Sequence, residues 1–183
     1  MLGARPIRRD PFAFKVTAGF SVNSWVMNLY LIRHAQAEKP QADQPDSERK
    51  LTLKGHEQAK TVRRTLEHLG IRLDTVYSSP WRRARQTAAA LEPVAHHLEV
   101  MPALAAAPDA AVLKTIHAFT EAEVALVGHQ PWMAELASLL LTRKRDLAPK
   151  LEFKKGAIYA FEVTSDQCLL RFVLPAGVLK RLS

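Results

Sequence analysis

Between residues 28 and 142 the chain alternates short apolar runs with longer stretches in which apolar residues recur at helical spacing. Asn28-Leu29-Tyr30-Leu31-Ile32 reads as a buried strand and leads into Arg33-His34. Gln41–Lys50 is polar, contains Pro45 and reads as a loop. Thr52 is placed to cap a helix running to about Leu69, with Ala59, Val62, Leu66 and Leu69 as its apolar stripe and Gly70 as its stop. Asp74–Tyr77 is a second strand, leading into Ser78-Ser79-Pro80. The Ala- and Arg-rich stretch from about Trp81 to His97 predicts one long helix, followed by a third strand over Leu98–Met101. Asp109 is placed to cap a helix running through Phe119. A fourth strand over Glu123–Val127 leads into Gly128-His129, and Pro131 opens a helix to about Thr142. Ala157–Val163 and Leu169–Leu174 lie close together and predict a hairpin or an added sheet edge.

Strand alternating with helix over 28–142 predicts an α/β fold: a doubly wound, mostly parallel sheet flanked by helices, with the hairpin or edge strands at the C-terminal end. In such sheets, sites form beyond the carboxyl ends of the strands. Three of the predicted strands end in reactive or phosphate-seeking residues: Arg33-His34, Ser79-Pro80 with Arg83 one turn later, and Gly128-His129.

Composition narrows the class. With 183 residues and 48% hydrophobic positions, the chain fits one packed domain and excludes wholesale disorder. Cys168 is the single cysteine, so an internal disulfide framework and a cysteine-based zinc site are excluded. It is expected to be a buried, inert thiol. No apolar run reaches the length of a membrane span. The net charge of +8 calls for an explanation, and nucleic acid, an anionic membrane or a small anionic substrate could each supply one. Arg5, Arg8, Arg9 and Lys15 against Asp10 give residues 1–26 a net +3, leaving +5 for residues 27–183. The first segment holds Pro6 and Pro11 and lacks the uninterrupted apolar run of a secretory signal. It is expected to be an extension outside the working domain, which would occupy 27–183. Trp25 falls in this segment and admits no reading.

Two histidines and two arginines can therefore converge at one end of the sheet. The planar guanidinium fork suits phosphate oxygens. A neutral imidazole nitrogen can attack phosphorus, and a second histidine can donate to a phosphoryl oxygen as charge develops. The other histidines, His56, His68, His96, His97 and His117, carry no motif and read as surface or helix-end residues. Trp81 and Trp132 are expected to pack, although both stand next to the suspected site.

Leu31-Ile32-Arg33-His34-Ala35 resembles the R-H-G motif of the histidine phosphatase superfamily, the phosphoglycerate mutase-like fold. Ser79-Pro80-Trp81-Arg82-Arg83-Ala84-Arg85-Gln86-Thr87-Ala88 is similar to its S-P-x-x-R-A-x-Q-T-A motif. Val127-Gly128-His129-Gln130-Pro131 is similar to V-G-H-N-P, the form found in small phosphohistidine phosphatases of the SixA type. Leu51-Thr52-Leu53-Lys54-Gly55 resembles their L-T-x-x-G helix start. The four motifs stand in family order over about residues 28–175. The resemblance implies His34 as nucleophile, Arg33 and Arg83 as clamps on the phosphoryl oxygens, and His129 as donor to the same group. Arg82 and Arg85 fall on other helix faces and read as surface or rim charges. No metal and no cofactor are implied.

The chain departs from the pattern at Ala35, where glycine is usual, and at Gln130, which keeps an amide in place of asparagine. A larger departure concerns the proton donor. Mutases and broad phosphatases of the family carry a glutamate between the second and third motifs, whereas Pro102–Asp109 here holds none. Without an acid, alcohol leaving groups should suffer about 10²–10⁴-fold, while a phosphoramidate is intrinsically labile. The expected activity is therefore that of a SixA-type protein-phosphohistidine phosphatase working through phospho-His34. The alternatives are a small-molecule phosphomonoesterase of the same superfamily and a non-catalytic phosphate-binding module. A phosphorylated protein or small phosphorylated substrate is the expected partner, with no nucleic acid and no membrane, for a cytoplasmic monomer. Nucleic acid is disfavoured because no recognition motif or aromatic stacking surface accompanies the basic residues.

Overall fold

The computed structural model describes residues 25–182. Six strands form one sheet: β1 (Val26–Arg33), β2 (Leu73–Ser78), β3 (Ala95–Val100), β4 (Glu123–Gly128), β5 (Ile158–Thr164) and β6 (Cys168–Leu174). Their order is β3-β2-β4-β1-β5-β6. The four strands from β3 to β1 are parallel, and β5 and β6 extend the sheet past β1 as an antiparallel hairpin. The predicted mixed α/β sheet, flanked by helices, is thus what the chain forms. The helices are α1 (Leu53–His68), α2 (Arg82–Ala89), α3 (Ala110–His117), α4 (Trp132–Thr142) and α5 (Ala176–Leu182). None is long and apolar enough to cross a membrane among the described residues.

Period-two alternation along the strands divides the core between the two faces of the sheet. Met27, Leu29 and Leu31 of β1 join Val124 and Leu126 of β4 against Ile116 of α3 and Met133, Leu136 and Leu140 of α4. Tyr30 and Ile32, with Ala125 and Val127, pack against Val62 and Leu66 of α1, Ala84 and Ala88 of α2 and Leu179 of α5. Two-sided burial explains why the central strands read as continuous apolar runs.

Three expectations need correction. The helix predicted over Trp81–His97 ends at Ala89, and a tight 3₁₀ turn over Glu92–Val94 follows. Pro93 has no amide hydrogen to continue an α-helix. Ala84, Ala88, Leu91 and Val94 are all buried, so the apolar spacing mimics a longer helix than the backbone can make. The third strand consequently starts at Ala95 rather than Leu98, and His96 and His97 lie on an exposed edge strand instead of a helix. Leu69 lies past the end of α1 and is only partly buried, whereas Thr65 is buried with its hydroxyl bonded to Thr61 O. Helix α5 had no counterpart in the sequence reading. Cys168 opens β6 and is half-buried, with burial pushing its thiol up to about 12. Most of the proposed extension lies outside the described residues. Trp25 packs against the core and Val26 begins β1.

Candidate active site

Strands β1, β4 and β2 lie side by side, so their carboxyl ends deliver Arg33-His34, Gly128-His129 and Ser78-Ser79 to one place. Backbone bonds fix that convergence: His34 N donates to Gly128 O at 3.0 Å, and Ser79 N donates to Val127 O at 2.9 Å. Helix α2 begins just after β2 and carries Arg83 inward, while Arg82 and Arg85 point to solvent as expected. His34, His129 and Arg83 are all buried, and the two imidazole rings stand 5.2 Å apart.

The motif residues that do no chemistry hold this arrangement together. Thr87 Oγ1 accepts the Ala35 amide at 3.1 Å and donates to Arg83 O at 2.8 Å, tying the loop after β1 to α2. Gln86 Oε1 accepts Leu51 N at 2.7 Å, which ties the start of α1 to the same helix. Thr52 caps α1 by accepting Gly55 N at 3.0 Å, and its own amide donates to Gln36 O at 3.0 Å. A Cβ on residue 55 would lie 2.0 Å from Gln36 O, so only glycine admits this close approach, two residues beyond His34.

Hydrogen bonding selects the tautomer of His34. His34 Nδ1 is 2.7 Å from Ala35 O, an acceptor, so Nδ1 carries the proton and Nε2 keeps its lone pair. Arg83 Nε donates to that lone pair at 3.1 Å. His129 Nε2 is 2.7 Å from Ser79 Oγ. The Ser79 oxygen also accepts Trp81 N at 3.3 Å, and its hydroxyl is able both to donate to Nε2 and to accept from it. His129 Nδ1, on the other side of the ring, is buried and has no partner among the described residues. Arg33 Nε is likewise buried without a partner, while its NH1 donates to Phe153 O at 2.5 Å. Two buried nitrogens without partners among the described residues, one of them a guanidinium donor, suit a site that receives an anion.

Burial, together with the neighbouring His129, Arg83 and Arg33, depresses the His34 pKa to about 3, even though the bond to Ala35 O works the other way. Burial and the cations, Arg83 foremost, hold His129 at about 4. Both rings are neutral at neutral pH, as a nucleophile with a free lone pair requires.

Trp81 was expected to pack; the structure places it in the site wall, its ring 4.4 Å from that of His129 and 4.4 Å beneath the Arg83 guanidinium. Trp132 is a core residue beside Met133. The Pro102–Ala105 turn brings no acid, and Asp109 accepts Val112 N as the cap of α3. A carboxylate nevertheless reaches the site, from the polar loop before α1. Asp46 Oδ2 accepts from Arg83 NH2 at 2.9 Å, and Asp46 O from Arg83 NH1 at 2.5 Å. Nothing in the sequence marked this residue, since a loop's path across a site is set by the fold. The bond from Arg49 Nε to its Oδ1 at 2.6 Å, and the bond from Arg83, hold the Asp46 carboxyl below the usual range. No cluster of three metal-ligating side chains occurs among the described residues.

The family profile of the histidine phosphatase superfamily (branch 1) matches residues 29–108, which include Arg33, His34 and Arg83. An uncharacterised protein of Picosynechococcus sp. is 36% identical over 121 residues, covering 62% of this chain and 73% of the relative. The crystal structure of a SixA protein from Agrobacterium tumefaciens, described as a candidate phosphohistidine phosphatase, superposes with a TM-score of 0.68 at 25% identity, covering 81% of this chain and 97% of that one. A candidate α-ribazole-5'-P phosphatase from Escherichia coli K-12 shares the fold with a TM-score of 0.68 at 18% identity, covering 82% and 97%. Motif order, fold and these likenesses agree: the chain is a phosphatase and belongs to the histidine phosphatase superfamily, branch 1.

Proposed function

We propose that this phosphatase hydrolyses phosphohistidine in proteins through a covalent phospho-His34. The observation that carries the reading is His34 itself: a buried, neutral ring whose proton is tied to Ala35 O and whose Nε2 lone pair faces the Arg83 guanidinium. Nε2 attacks phosphorus, the bond from phosphorus to the substrate nitrogen breaks, and the substrate imidazole leaves with a proton taken from solvent. Water then attacks the phosphorus of phospho-His34, releasing inorganic phosphate and restoring the free ring. Arg33 and Arg83 balance the charge on the phosphoryl oxygens, and His129 Nδ1–H donates to one of them. An acidless route suits a nitrogen leaving group, because imidazole departs with far less help than an alkoxide. A protein substrate and a cytoplasmic setting complete this reading.

The test is a substrate panel of phosphohistidine peptide, phosphotyrosine and phosphosugars, run with and without EDTA, together with His34→Ala. Phosphohistidine should lead in kcat/KM, EDTA should change nothing, and His34→Ala should abolish turnover along with an acid-labile phosphoenzyme. Preference for a phosphosugar by orders of magnitude would transfer the assignment to a small-molecule phosphomonoesterase. Turnover by His34→Ala would end the mechanism altogether.

A further inference from the structure

The most telling feature outside this mechanism is the carboxylate on Arg83. All three guanidinium nitrogens are engaged: Nε by His34 Nε2, NH1 by Asp46 O and NH2 by Asp46 Oδ2. One residue thus takes the whole NH1–NH2 edge, the fork that binds two phosphoryl oxygens at once. The remaining edge is turned toward the nucleophile. Arg83 is buried, with 4% of its side chain exposed, whereas Asp46 is 48% exposed. The arginine is therefore the fixed member of the pair and the aspartate the movable one.

We propose that Asp46 competes with the phosphoryl group for Arg83, and by reclaiming the guanidinium helps to expel inorganic phosphate after hydrolysis. The proposal rests on Arg83 being a phosphoryl-binding residue. Two anions cannot share one guanidinium without repelling each other, whichever edge the phosphoryl uses. The loop is built for such an exchange. Its base is pinned by the Ala37–Leu51 bridge and by Glu38 N to Lys50 O at 2.9 Å, so movement is confined to the segment between. Arg49 bonds the other carboxylate oxygen at 2.6 Å and Glu38 O at 2.8 Å, which gives Asp46 a cation to stay with when it leaves Arg83. The carboxyl remains ionised at neutral pH, with Arg49 and Arg83 holding its pKa down, so it acts as a competing anion and not as a proton donor.

Inorganic phosphate is the probe, titrated calorimetrically and as a product inhibitor against wild type, Asp46→Asn and Asp46→Ala. Removing the competing charge should tighten phosphate binding about tenfold, the scale of one charge-assisted hydrogen bond at a half-exposed site. Asp46→Asn keeps the shape and one acceptor, so it reads the charge even where Asp46→Ala loosens the loop. Unchanged or weaker phosphate binding in both variants, with measurable binding by wild type, would make Asp46 a brace and overturn the proposal alone. Absence of phosphate binding in wild type and both variants would overturn it together with the phosphoryl-binding role of Arg83.

Discussion

Burying two neutral histidines makes the stability of this fold depend on pH in a window where most side chains are silent. The ordinary histidine pKa is near 6.5, while His34 and His129 stand at about 3 and about 4 in the folded chain. Below pH 6.5 the unfolded chain binds protons that the folded chain refuses, so stability falls as pH falls and is regained as pH rises. From pH 7 to pH 5, each histidine should withdraw about 2 kcal/mol, and the pair roughly 4 kcal/mol, close to half the stability of a typical domain. Urea unfolding at pH 7, 6 and 5, extrapolated linearly to water, measures this. Burial raises the pKa of Glu123 and lowers that of His117, so both groups add to the pH dependence. Comparison with His34→Asn cancels them, because the variant differs only in the ring. Wild type should lose about 2 kcal/mol more than His34→Asn between pH 7 and pH 5. Equal losses in the two proteins would refute the neutral buried ring, and with it the free lone pair on which the proposed nucleophile depends.

Ser79→Ala removes the hydroxyl bonded to His129 Nε2; kcat should fall about 10–100-fold with KM nearly unchanged, the scale of leaving one buried donor or acceptor unmatched, as steady-state kinetics will show. Gly55→Ala sets a methyl group 2.0 Å from Gln36 O, so the loop behind His34 must shift; thermal or urea unfolding should register a loss of about 3 kcal/mol, accompanied by reduced activity.

The strand ends that make the site were legible because buried parallel strands are short apolar runs, and residues that break such runs stand out. Arg33-His34 and Gly128-His129 are polar steps at the ends of β1 and β4, where sheet geometry alone predicts a site. The extent of α2 was not legible. Alanine, leucine and valine at helical spacing through Val94 satisfy the same core whether the backbone is α-helical or turns at Pro93. Edge strand β3 was foreshortened for a related reason: it pairs on one side only and is mostly exposed, so His96 and His97 carry no apolar signature. Asp46 was invisible for a different reason. Its role depends on where a loop crosses Arg83, 37 positions away, and local pattern does not encode that path.

The arginines link the two halves of the site's chemistry. In the proposed mechanism Arg33 and Arg83 supply the positive charge that a phosphoryl dianion needs, and the same charge adds to burial, the larger cause, in keeping both imidazoles unprotonated. A surface pair of histidines near pKa 6.5 would be partly cationic and partly unable to attack; burying them beside cations removes that loss. The cost is two rings that resist protonation, the origin of the pH-dependent stability above. A bound dianion offsets the arginine charge, and the ring whose neutrality owes most to Arg83 among its neighbours is His129, the ring assigned to donate. Both rings owe their low pKa to burial first, with the cations as lesser causes, so each stays neutral chiefly because it is buried.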